Sequence, residues 1–498
     1  MKKEQNYKEN PKLKELKESK VVAVVLSIAL IFVTAVYLAL FAMSWYQGDI
    51  VKVFTGPNGI ARFFCYLLLI GILLYATIGF MYFFNREMIY SVKYIALIML
   101  LTALVFTLCI VLADCINIYV MPFALAAIII GVIINVKTAL VVNILISQML
   151  FMTVALFSPM AEFSMASLSA SIFANLTLGF VMISLIGKNY SRIKFNMYGM
   201  IGSLIVAPFV VLVTFISNGT TQDMLMNMLW IVVSNLITIV LFMAVLPIFE
   251  SLFQAVTSYR LDELSSPNNK LLKKLKEEAP GTYNHSVIVG NIAESCAYAI
   301  GENTKLARAA SLYHDVGKLV SPEYFVENQE GGYNPHDDLI PEVSVKMITD
   351  HTTNGYKIAK EYHLPDEIAK VAMEHHGTAP VKYFYIKAQN ISTSTLDANL
   401  FAYPGPKPST KVAAIIMIAD TVEAATRAMN IETIEEYDKF VTGLIKEKID
   451  LGQFDECPIT MKELTIIKDT IVKDVPSMFH SRIKYPDMKK KKWYIFIM

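Results

Sequence analysis

Charge is what this sequence lacks first. Only 17% of its 498 residues are charged, where a soluble chain carries about 25%. The deficit is local, with 13 charged residues between Val21 and Phe249 and 74 in the other 269. Cysteine is scarce too: five scattered residues without CxxC spacing give neither a disulfide framework nor a thiolate metal site. Lys and Arg total 44 against 43 Asp and Glu, so no basic excess calls for a nucleic-acid polymer as partner. Histidine is absent from the first 284 residues. The chain therefore divides into a membrane half and a water-soluble half.

What fills the first half is apolar runs, near 21–43, 61–84, 94–113, 118–135, 138–158, 165–187, 199–217 and 225–249. Crossing the hydrocarbon layer takes roughly 20 apolar residues, so these predict eight spans in a lipid bilayer. The boundary between the fourth and fifth is the least marked, only Asn135-Val136-Lys137. The segment ahead of the first span holds seven lysines, and Arg86, Lys93, Lys137, Lys188, Arg192 and Lys194 recur in alternate loops. The loops around 114–117, 159–164 and 218–224 hold no Lys or Arg, and only Lys52 breaks the alternation. The positive-inside bias places both termini in the cytoplasm, and no cleavable signal peptide is expected. Asp114 and Glu162 fall at outward span edges, so this half reads as an anchor or sensor, with no transporter core.

Composition changes at Glu250. Ser265-Ser266-Pro267-Asn268 looks like a helix stop and a new cap before the amphipathic "KLLKKLKEE". Beyond Pro280 apolar residues repeat at three and four positions over about 283–300, 304–315, 341–362, 366–376, 409–430, 434–449, 460–475 and 477–483. The fold class is all-α: a polytopic helix bundle of about eight spans, then an all-helical soluble domain. The expected boundaries are a basic segment 1–20, a transmembrane domain 21–249, a linker helix 250–280, a domain 281–487 and a basic, aromatic tail 488–498.

Seven of the eight histidines fall within 92 residues: His285, His314, His336, His351, His363, His375 and His376. Histidine is the commonest metal ligand. His285 opens one predicted helix, His314-Asp315 ends the next, His351 sits inside a third and His375-His376 ends a fourth. Asp420 follows an almost unbroken apolar run in "AAIIMIADTVEAATR", and a buried carboxylate is costly unless paired or metal-bound. Five helices can deliver ligands to one centre, as metal-binding bundles do. Seven N and O ligands without sulfur suit two ions of Fe, Mn, Co or Zn, with Asp315 as bridge.

His…His-Asp…Asp resembles the HD phosphohydrolase superfamily. "ARAASLYHDVGKL", "ENQEGGYNPHDDL", "MEHHGT", "YPGPKPSTKVAAIIMIADTVEAATR" and "FHSRIKYP" resemble more closely its seven-transmembrane branch, the PgpH-type cyclic di-AMP phosphodiesterases. The resemblance covers about 250–487, and the membrane half in topology. It implies His285, His314, Asp315, His351, His375, His376 and Asp420 as ligands of two divalent ions, with Mn or Fe foremost. It implies cyclic di-AMP as the ligand, opened to pApA, and a bacterial plasma membrane with the HD domain cytoplasmic; a homodimer is the candidate assembly. Two departures stand out. Asn284 replaces a second histidine often found before the first ligand. The loop "SWYQGDIVKVFTGPNG" leaves no room for the large extracellular domain usual between the first two spans.

Two such ions ionise a water near neutral pH and neutralise charge on a phosphodiester. Asp315 and Lys318 are the expected catalytic pair, Lys318 as a fixed charge beside a phosphate oxygen. His336 in the loop 327–339, Lys382 and Tyr383 after "HHGT", Lys407 in "YPGPKP" and Arg427 are the expected substrate contacts. His363 and His480 read as structural. A cyclic di-GMP enzyme would carry a GYP signature, which is absent. An alarmone or nucleoside triphosphate hydrolase, and a receptor that binds without cleaving, are the alternatives.

Overall fold

The structure is a computed structural model, and it describes residues 11–84, 88, 90–158, 164–186, 192–217, 219–329, 333–428 and 433–478. The chain divides into two compact units, Met1–Arg260 and Leu261–Met498. Among the described residues there is no strand, only one isolated bridge between Pro380 and Ala402. Glu162, Gly331, Gly332, His480, the start of the N-terminal segment and the tail lie outside the described residues.

The first unit contains α1 (Pro11–Gln47), α2 (Ile50–Thr55), α3 (Gly59–Phe84), α4 (Val92–Cys115), α5 (Ala124–Ile133), α6 (Val136–Phe157), α7 (Met165–Ile186), α8 (Arg192–Ile216) and α9 (Thr221–Leu252). Seven of these are long and apolar enough to cross a membrane. Their outward faces show why: Phe32, Leu68, Ile72, Leu204, Ile205 and Phe215 are all exposed. An apolar surface this continuous is not one that water tolerates.

The segment expected to be the fourth uninterrupted span differs. It is irregular from Ile116 to Phe123 and becomes helical only in α5, ten residues long. Ten helical residues rise about 15 Å, half the ~30 Å layer. Pro122 lacks the N–H that would continue a helix, and residues 118–131 are buried in the bundle. Irregular backbone is tolerated at that depth only where protein satisfies it. Ser171 Oγ donates to Ile118 O at 2.7 Å and Asn175 Nδ2 to Tyr119 O at 3.4 Å. Ser234 Oγ on α9 in turn donates to Asn175 Oδ1 at 3.0 Å.

The short helix α10 (Ser258–Leu264) contains the boundary between the units. The second unit is then built from α11 (Lys270–Glu278), α12 (Pro280–Ile300), α13 (Thr304–Tyr313), α14 (Pro341–Glu361), α15 (Asp366–Glu374), α16 (Lys382–Ile391), α17 (Lys411–Ala428), α18 (Ile434–Asp450) and α19 (Met461–Met478). The caps follow the sequence. Asn269 caps α11, one residue beyond the expected Asn268. Asn303 Oδ1 caps α13, and Thr460 with Glu463 forms the capping box of α19. Proline opens α12 and α14 at the first turn. The helix α16 is not marked by periodicity, because its aromatic run "KYFY" has little alternation of polar and apolar faces.

At the centre lies α17. Ala413, Ala414, Ile415, Ile416 and Met417 have no exposed surface, and burying each of the three larger side chains contributes about 1.5–3 kcal/mol. That anchoring fixes the axial position of Asp420 one turn on. α13 ends at Tyr313, and a tight turn, Val316–Val320, follows Asp315. Gly317 lets this turn press on α14: a Cβ there would meet His351 O at 1.8 Å. Glycine thus brings the Asp315 turn against the helix that carries His351.

Candidate metal centre

Two sets of ligand atoms converge in the second unit. His285, His314, Asp315 and Asp420 form one; Asp315, His351, His375 and His376 form the other. Asp315 belongs to both. Its Oδ2 lies 3.5 Å from His285 Nε2 and 3.3 Å from His314 Nε2. Its Oδ1 lies 3.2 Å from His351 Nε2 and 3.6 Å from His375 Nε2. Asp420 Oδ1 stands 2.9 Å from His285 Nε2, and its Oδ2 3.7 Å from His376 Nδ1. Ligands about 2.0–2.2 Å from one ion are themselves roughly 3.0–3.6 Å apart, which is the spacing seen.

The donors fit metal by a second criterion. His314 Nε2 and both Asp315 oxygens are buried without a hydrogen-bond partner of good geometry, although Lys318 Nζ stands 2.7 Å from Oδ2. Buried polar groups are otherwise satisfied. The back nitrogens, by contrast, are fixed. Nδ1 of His314 faces Ser311 O at 2.6 Å, that of His351 faces Ile348 O at 2.6 Å, and that of His375 faces Ala372 O at 3.0 Å. Each carbonyl accepts the Nδ1 proton and leaves Nε2 free to ligate.

The electrostatics divide along the same line. Burial opposes charge on His285 and His314, but Asp420, Glu423 and Asp315 outweigh it at His285, and Asp315 and Asp420 at His314, raising them to about 9 and about 10. Burial dominates at His375, pushed down to about 4, and holds His376 well below its usual range. Burial would raise Asp315 and Asp420, yet the surrounding imidazoles, and for Asp315 also Lys318, hold both well below the carboxylate range. Lys318 itself is raised, because Asp315 and Glu327 outweigh its burial.

The centre opens into a cavity of about 530 Å³ lined by His285, His351, His376, Asp420, Lys318, Glu327, Phe325, Val326, Ile348, Tyr403, Glu423, Ala424 and Arg427. Lys318 Nζ spans 2.7 Å to both Asp315 Oδ2 and Glu327 Oε1. Arg427 reaches the wall but pairs with Glu423 at 2.5 Å.

The other expected substrate contacts lie elsewhere. His336 is buried with Nε2 on Tyr324 O at 3.0 Å and its ring on Phe384. Lys382 pairs with Glu447 at 2.9 Å, Lys407 faces Asp455 at 3.4 Å, and Tyr383 is exposed. None of these four lines the cavity. The sequence reading missed Glu327, Tyr403 and Glu423. Tyr403 stacks on His376 with centroids 4.2 Å apart. Glu423 carried a signal, three residues past Asp420 on one helix face.

Two family models match the chain. "HD domain" matches 282–425 and "7TM receptor with intracellular HD hydrolase" matches 60–257. The two regions expected from the sequence, a polytopic membrane half and an HD domain, thus each match a family model. The 60–257 match contains six of the long apolar helices and the broken segment 116–133. Cyclic-di-AMP phosphodiesterase PgpH of Listeria monocytogenes is 43% identical over 305 residues, 61% of this chain and 42% of the relative. The Bacillus subtilis protein of that name is 42% identical over 308 residues, 61% of this chain and 43% of the relative. The chain thus spans less than half the length of these curated relatives. A crystal structure of the L. monocytogenes PgpH HD domain in complex with cyclic-di-AMP is 46% identical, covering 43% of this chain and all of that one, with a TM-score of 0.42.

Proposed function

We propose that this chain is a membrane-anchored, metal-dependent phosphodiesterase that opens cyclic di-AMP to the linear dinucleotide pApA. The observation that carries the reading is Asp315, one buried carboxylate whose two oxygens face two separate sets of imidazoles. Relatives bearing the name cyclic-di-AMP phosphodiesterase support the substrate. His285, His314, Asp315 and Asp420 would hold one ion, and Asp315, His351, His375 and His376 the other. Imidazole and carboxylate without thiolate suit Fe, Mn, Co or Zn, and the family resemblance puts Mn or Fe first. When bound, the ions supply a water ionised near neutral pH and positive charge beside the phosphodiester.

The chain's own residues do the rest. Lys318, clamped between Asp315 and Glu327, presents a fixed cation at the cavity floor for a non-bridging phosphate oxygen. Phe325, Val326, Ile348 and Tyr403 give the cavity an apolar wall on which a purine stacks. Arg427, held by Glu423 through Nε, lines the same cavity and is the candidate contact for the second phosphate of a cyclic dinucleotide. In the membrane half, the broken segment 116–133 counts as a crossing. Together with the seven long helices it makes eight, which puts both termini on the cytoplasmic side of a bacterial plasma membrane.

The full chain, purified in detergent and loaded with Mn or Fe, is to be offered cyclic di-AMP and cyclic di-GMP side by side. Conversion of cyclic di-AMP to pApA, abolished in Asp315→Ala, is the expected result. Tight binding without turnover would make the protein a receptor.

A further inference from the structure

The two halves of the centre are not built alike. Three of the ligating histidines lean on backbone carbonyls of their own helices. His285 does not: its Nδ1 faces the carboxylate of Glu423, Oε2 at 2.6 Å, across 138 residues of sequence. Glu423 is 1% exposed. Its other oxygen takes Arg427 Nε at 2.5 Å, one turn further along α17. A carboxylate acceptor carries a full negative charge where a carbonyl carries a dipole. It therefore makes the imidazole a stronger donor at Nε2, and it fixes the ring and the tautomer.

Nothing comparable stands behind the other set. His376 is the most exposed ligand, with 21% of its side chain accessible. Among the described residues its ring has no hydrogen-bond partner, and it rests on the face of Tyr403 instead. Asp420 Oδ2 lies within 3.7 Å of His376 Nδ1, so Asp420 lends some charge to both sides. Glu423 lends it to one only.

We propose that Glu423, tethered by Arg427, is a positioning residue that makes the two metal positions unequal. The position facing His285, His314, Asp315 and Asp420 binds its ion more tightly and fills first, and the position facing His351, His375 and His376 fills second. This rests on the two-metal reading above. On this view Arg427 acts on the centre through Glu423, whether or not it also meets a phosphate. The second ion, held by a more exposed ligand, is the one whose supply sets how much of the protein is fully loaded.

The test is a titration of metal-free full-length protein with Mn(II) at pH 9 under argon, with free Mn(II) read by electron paramagnetic resonance. Two ions per chain in affinity classes at least about tenfold apart are expected. Glu423→Gln should weaken the tight class about 10- to 100-fold and leave the weak class within about threefold. Arg427→Ala should move the tight class in the same direction by less. His376→Ala should abolish the weak class alone. Circular dichroism of each variant separates misfolding from altered binding, and the wild-type titration is decisive by itself if Glu423→Gln does not fold. Two equal classes in the wild type, or equal weakening of both by Glu423→Gln, would overturn the inequality while keeping the metal centre. Absence of any bound ion would overturn both.

Discussion

Two buried polar clusters, one in each unit, serve opposite purposes. In the membrane unit Ser171, Asn175 and Ser234 are uncharged, and they serve carbonyls that the broken segment cannot satisfy itself. In the cluster around Asp315 in the second unit the buried groups are charged or chargeable, and His314 Nε2 and both Asp315 oxygens have no protein partner of good geometry. One arrangement is complete as it stands; the other is arranged for something added. Polarity inside a core thus says little until one asks whether its partners are already present.

Removing the shared carboxylate breaks this contrast most severely. Asp315→Ala takes a ligand from both sets at once, so Mn content should fall from two ions to less than one per chain. Cyclic di-AMP hydrolysis should fall by more than about a thousandfold. Metal analysis beside product chromatography checks this. Retention of both ions would show that Asp315 is no bridge.

The charged cluster should also answer to pH where the neutral one does not. His285 and His314 are raised to about 9 and about 10, so at pH 8 the metal-free protein holds protons on both. Metal must displace them, releasing about two protons per chain, and the release should fade above pH 10. His375 and His376 are shifted down, so binding at their position releases none at pH 8. Lowering the pH from 9 to 7 should therefore narrow the gap between the two affinity classes. Proton release in weakly buffered titrations gives the sign directly.

Asn175 offers the matching test in the membrane unit. Asn175→Leu would leave Tyr119 O and Ser234 Oγ without their partner at a cost of about 1–3 kcal/mol. A lower melting temperature in detergent, with the metal content of the second unit unchanged, is expected. An unchanged melting temperature would mean that the broken segment is held by packing alone.

How much of this was legible beforehand follows from what each signal depends on. All seven residues of the two ligand sets were readable because histidines clustered in sequence and Asp420 interrupted an apolar run. The helical core of the second unit followed from its periodicity. The break at 116–123 was not readable, since "IYVMPFALAAIIIGVI" is as apolar as a straight helix and only Pro122 marks the interruption. Glu423 and Tyr403 escaped because their significance lies in what they touch, His285 and His376, which are 138 and 27 residues away. Lys382, Tyr383 and Lys407 followed the opposite course. They sat beside ligand motifs in the sequence, yet α16 and the 404–408 turn carry them away from the cavity.

That displacement supplies the smallest expected effect and the finest discrimination. Lys382 and Lys407 hold Glu447 and Asp455 near the surface, and exposed pairs contribute only ~0–1 kcal/mol. Lys382→Ala and Lys407→Ala should leave the KM for cyclic di-AMP within about twofold. Lys318→Ala, by contrast, removes the cation that faces Asp315 inside the cavity, and should lower kcat by roughly 100-fold or more. Michaelis parameters for the three variants decide the matter. If KM rose tenfold with Lys382→Ala or Lys407→Ala while kcat held, the substrate would extend beyond the cavity walls to the α16 surface, and adjacency in sequence would have been the better guide.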